Sequence, residues 1–170
     1  MSSEALFGFA GVILGALTTS VLTVYREQLV TRREAVARRD EAESQRTLKI
    51  NTFQRESILA LQTAASDMIR AAYEELDRVL AQTQISGIWS ARRWETPTAV
   101  GWSDAILRLE SSRARVFDDE LRALAAELRT LAGDSVWAPD LETAKNHSKP
   151  LEPLYRRFND RVTAVLPGLY

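Results

Sequence analysis

With 170 residues, 45% of them hydrophobic, and a formal net charge of −1, the chain can build one modest domain with a core. It lacks the basic surplus with which nucleic-acid binders displace counterions from phosphates. Cysteine is absent, which excludes a disulfide framework and thiolate metal sites.

The first element predicted is a membrane anchor over residues 1–25. Ala5 to Val24 reads ALFGFAGVILGALTTSVLTV, without a charge. A hydrocarbon core about 30 Å thick needs roughly twenty apolar residues at about 1.5 Å each. A cleaved signal peptide fits less well, because Met1 to Glu4 carries no Lys or Arg and no small-residue cleavage pair follows the run. Arg26, Arg32, Arg33, Arg38 and Arg39 follow it and no basic residue precedes it. Cytoplasmic flanks are enriched in Lys and Arg, so the expected arrangement is an inner (cell) membrane protein, N-terminus outside and body in the cytoplasm. Gly11 and Gly15 form a GxxxG that Thr19 extends at the same spacing. Small residues four apart let helix backbones approach closely, so these three are the candidates for helix–helix association.

Residues 26–52 are charged, with no Pro or Gly, and Glu34 to Arg38 is an i,i+4 pair. This predicts a solvated helical stem. Leu29, Val36 and Ile50 at multiples of seven leave a weak coiled coil as the sharper alternative.

A helical body is expected over 53–170. Phe53, Ile58, Leu61, Ala65, Met68, Ala72, Leu76 and Val79 recur at helical spacing, with Leu59, Ile69, Tyr73 and Leu80 on an adjacent stripe. They predict a helix over about 53–81. A second helix, about 103–132, has Ser103 as its expected N-cap, a core stripe of Ile106, Leu109, Val116, Phe117, Leu121, Leu124, Leu128 and Leu131, and Gly133 as its stop. A third helical region, about 139–166, carries Leu141, Leu151, Leu154, Tyr155, Phe158, Val162 and Leu166, with an interruption near Pro150. The expected fold class is therefore all-α: a transmembrane helix continuing into a stem and an antiparallel three-helix bundle.

Trp89, Trp94 and Trp102 surround Arg92 and Arg93 between the first two body helices. Trp and Arg dominate interface hot spots, so these five are the candidate partner-binding residues. The alternative role is to cap the bundle end. Glu74, Glu75 and Asp77, and the run Asp118, Asp119 and Glu120, are expected on solvated faces. The single histidine, His147, has no Glu three residues before it to make a bundle metal motif. No nucleophile triad or phosphate-loop glycine pattern is present either. No cofactor, metal, nucleic acid, small-molecule substrate or enzymatic activity is expected. The expected partners are the bilayer and a protein, or a second copy of the chain.

The order of uncharged run, Arg-rich exit and helical body resembles the membrane-anchored b subunit of rotary ATP synthases. It departs from that family's nearly uninterrupted dimeric stalk through four tryptophans, several prolines and two loops. Over about the first 60 residues it also resembles small, uncharacterised single-pass membrane proteins of GC-rich bacteria. The second likeness carries no assigned activity; the uncharged run, the one-sided arginines and a helical body without catalytic groups lead instead to the expectation of a membrane-tethered scaffold or adaptor, or else a structural stalk or pore component acting as a homo-oligomer.

Overall fold

A computed structural model describes the backbone of residues 3–89 and 97–170, and the side chains of 34, 38–89 and 101–170. The described chain is all-helical: α1 (Ser3–Ser86), α2 (Pro97–Arg113), α3 (Asp119–Val136), α4 (Leu141–Ser148), α5 (Leu151–Val165) and a closing 3-10 turn (Leu166–Leu169). It divides into two compact units, Met1–Lys49 and Ile50–Tyr170.

In the first unit the described side chains are exposed, as its charged composition requires. Glu34 pairs with Arg38 at 3.7 Å, and the Thr47 hydroxyl donates to the Glu43 carbonyl at 3.0 Å. The side chains of the apolar run Ala5 to Val24, including Gly11, Gly15 and Thr19, lie outside the described residues. No helix among the described residues is long and apolar enough to cross a membrane.

In the second unit, the expected stripe from Ile58 to Val79 on α1 is buried, while Phe53 at its start is exposed. On the adjacent stripe Ile69 and Leu80 are half-buried, and Leu59 and Tyr73 are exposed at the rim. The helix continues five residues beyond the expected end at 81. It stops where Gly87 takes φ +67° and its N–H reaches the Thr83 carbonyl at 2.8 Å, a left-handed position that glycine occupies without a Cβ penalty.

The expected helix over 103–132 is two helices, α2 and α3, and this corrects the sequence reading. α2 begins at Pro97, not at Ser103. Proline suits the first helical position because the N–H it lacks would have no intrahelical acceptor there. The break after Arg113 is fixed from a distance. The buried Gln54 side chain on α1 donates to the Arg115 carbonyl at 3.0 Å and accepts the Phe117 N–H at 2.8 Å. Asp118, in an extended conformation, then caps α3 by accepting the Leu121 N–H at 2.8 Å. Val116 is buried under this turn while Phe117 is 64% exposed, tilted against the exposed Phe53 ring at 6.4 Å. α3 runs three residues beyond Gly133, and the Trp137 N–H closes it on the Gly133 carbonyl at 2.9 Å.

α4 is capped by Asp140, which accepts from the Thr143 N–H at 2.8 Å and from its hydroxyl at 2.9 Å. Pro150 separates it from α5, whose buried face is Leu151, Leu154, Phe158 and Val162. α5 runs antiparallel to α1. Gln62 donates to Asn159 at 2.8 Å near its middle, and Arg55 lies 5.4 Å over the Tyr170 ring beyond its end.

The body is thus a four-helix, up-down-up-down bundle formed by residues 50–86 of α1 with α2, α3 and α5, and α4 lies in the last connection. It is not the expected three-helix bundle, because the Gln54-held turn adds a hairpin. One continuous core joins Ile58, Leu61 and Met68 of α1 with Trp102 and Leu109 of α2, Leu121 and Leu128 of α3, and Leu151 and Phe158 of α5.

Candidate functional site

The two described tryptophans of the expected patch are structural. Trp102 is 2% exposed and belongs to the main core beside Ala105 and Leu109, so it cannot present an indole to a partner; this corrects its assignment. Trp89 is half-buried against a smaller cluster of Leu76, Ala138 and Ala144. Its indole N–H donates to the Ala138 carbonyl at 2.9 Å, which ties the chain after α1 to the chain after α3. A cleft of about 120 Å³ remains there, lined by Tyr73, Leu80, Trp89, Leu141 and Lys145 among others. Arg92, Arg93 and Trp94 lie outside the described residues.

Two of the expected solvated carboxylates have structural roles. Glu75 is 2% exposed, with Arg78 Nη2 at 2.6 Å and Nε at 3.1 Å from its two oxygens. This hydrogen bond to Glu75 raises the Arg78 pKa. Asp118 binds Arg161 of α5 at 2.6 Å and 3.3 Å while it caps α3. The Arg161 guanidinium, helped by the Leu121 N–H, holds the Asp118 carboxyl below its ordinary value. Arg161 also reaches Glu120 at 3.1 Å. His147 sits in the last turn of α4, half-buried. Among the described residues no three His, Asp or Glu side chains are grouped so that they could hold a metal ion.

The feature that residue spacing did not single out is a groove between α1 and α2. Its upper part, about 520 Å³, is lined by Asp67, Arg70, Ala71, Glu74, Gly101, Ala105 and Arg108. The adjoining part, about 480 Å³, shares Asp67 and Arg108 and runs on between Ala60, Thr63, Ala64, Leu107, Ser111, Ser112 and Arg115. Small residues on both helices leave this space open. The α1 wall carries Asp67 and Glu74 against one arginine, Arg70, which pairs with Asp67. The α2 wall carries Arg108, with Arg115 in the turn just after the helix, and no lining acid. Leu107, 64% exposed, stands at its edge.

In comparisons with known proteins, the chain matches no family model, no curated protein and no solved structure. The class that fold and surface define is an all-helical bundle with an open interhelical groove.

Proposed function

We propose that this is a single-pass, membrane-tethered helical scaffold or adaptor whose body binds a protein partner at the cytoplasmic face, without enzymatic activity of its own. The observation that carries the reading is the uncharged run Ala5 to Val24 with Arg26, Arg32, Arg33, Arg38 and Arg39 on one side only. The bundle supports it: a four-helix body with its own core and an open groove suits docking. The test is carbonate extraction of native membranes, followed by protease treatment of intact cells expressing a C-terminally tagged chain. Retention in the pellet with a protected tag is expected, and recovery of the intact chain in the soluble fraction would overturn the tether.

A second reading rests on the Gly11, Gly15 and Thr19 spacing: a stalk or pore component assembling through its anchor. Crosslinking in native membranes distinguishes the two, because heterologous partners favour the adaptor and ladders of the chain alone favour the stalk.

A further inference from the structure

We infer that the α1/α2 groove is the contact face for a second copy of this chain, with the two copies related by a two-fold axis parallel to the groove. The inference concerns the folded body and stands apart from the membrane tether.

The walls of the groove are of opposite charge. Asp67 and Glu74 line the α1 side with Arg70, and Arg108 of α2 lines the other side with Arg115 from the turn that follows it. Arg108, Arg115 and Glu74 make no ion pair within 4 Å among the described residues, so these charges face the groove uncompensated at contact range. A two-fold axis along the groove lays α1 of each copy over α2 of the other. Each Asp67, which already holds Arg70, then also meets the other copy's Arg108, and this contact forms twice, as an isologous interface requires. A two-fold axis across the helices would instead set α1 on α1, where Asp67 and Glu74 outnumber Arg70, and α2 on α2, where Arg108 meets only basic charge, an unfavourable like-charge arrangement. The charge pattern therefore makes the face self-complementary about this axis, which fits a second copy.

The shape agrees. Leu107, exposed on α2 next to Arg108, lines the same part of the groove as Ala64 and Asp67, and the two-fold axis carries it over α1 of the other copy beside Asp67. The axis also leaves the Ile50 ends of the two bundles pointing the same way. Along the 17 residues of α2 the face is about 26 Å long at about 1.5 Å per residue. Two helix diameters make it about 20 Å wide. That is about 500 Å² per copy against about 800 Å² in a standard stable interface. The dimer is therefore weak, and any tether that raises local concentration strengthens it.

The chain has no cysteine, so introduced thiols report contacts without background. Two full-length copies with different tags, one Thr63→Cys and the other Ser112→Cys, are coexpressed and oxidised. A disulfide-linked species carrying both tags is expected. Asp67→Arg or Arg108→Asp, made in both copies, should each lower its yield about tenfold or more, since about 1.4 kcal/mol is already a factor of ten. The two reversals together should restore it, which also shows that the single variants had not simply unfolded. A yield no higher than that of exposed residues outside the groove, Ser66→Cys with Thr130→Cys, would overturn the inference. So would equal yields in all charge variants.

Discussion

Gln54 and Phe117 are joined across 63 residues of sequence by a 2.8 Å hydrogen bond from the Phe117 N–H to the Gln54 side-chain oxygen. The same amide donates to the Arg115 carbonyl at 3.0 Å, so one side chain satisfies two backbone groups of the α2–α3 turn. The turn has no glycine or proline, and its local signal is Asp118, which caps the start of α3. The bundle thus becomes four-helical through a contact that Gln54 supplies from α1.

Gln54→Ala should therefore destabilise the protein by about 1 to 3 kcal/mol, the scale for leaving part-buried backbone groups without protein partners. Gln54→Glu should also be destabilising, because it keeps an acceptor for Phe117 but sets a carboxylate against the Arg115 carbonyl. Urea unfolding followed by circular dichroism checks both. A midpoint equal to that of the parent would show that the clamp contributes nothing.

The helix phase was largely legible in the sequence, and the helix ends were not. Spacing identifies Ile58, Leu61, Met68 and Val79 as one face of α1, and all are buried. That face follows from burying a continuous apolar stripe, so local pattern suffices. The α2–α3 break was hidden because its cause lies some 60 residues upstream, and Phe117, apolar and in phase, sits exposed at the turn. Ser103 looked like a cap because serine caps often, but Pro97 starts α2 earlier. For Trp102 the sequence leaves binding and bundle capping both open, because a tryptophan beside arginines serves either equally well, and its burial in the core answers for packing. The groove left no signal, because Ala, Ser, Thr and Gly register as missing bulk only once two helices are laid side by side.

Helix phase on α3 can be tested directly. Leu124 is buried in the core and Arg122 pairs with Asp119 at the surface. Leu124→Asp should cost several kcal/mol by burying an unpaired charge, whereas Arg122→Ala should change stability by less than about 1 kcal/mol. Melting temperatures of the two variants should differ widely.

Acid stability should depend on Asp118. Its carboxyl is held below the ordinary value by Arg161 and the Leu121 N–H, so the folded state binds this proton less readily than the unfolded chain does. The stabilisation is present above the unfolded value, about pH 4, and is lost as pH falls through the lower folded value. Asp118→Asn preserves a capping side chain but removes the charge paired with Arg161. The variant should be less stable at pH 7 and should lose less on acidification than the parent. Thermal melts between pH 7 and pH 2.5 measure both slopes, and parallel curves would show that Asp118 does not carry the effect.

Trp89 is the described residue at which packing and binding make opposite claims. Its ring covers Leu76, Ala138 and Ala144, and its N–H reaches the Ala138 carbonyl. Trp89→Phe keeps most of the ring and removes the hydrogen bond, so a loss of about 1 kcal/mol is expected. Trp89→Ala also uncovers the apolar cluster and should cost about 3 kcal/mol, the lower end of the range for truncating a tryptophan because this one is only half-buried. If Trp89 instead served mainly as a partner's anchor, both variants would melt like the parent while recovery of the partner from solubilised membranes fell. Melting curves alongside a pull-down with the same samples therefore assign the residue, and a graded loss of stability from Phe to Ala is the result its packing requires.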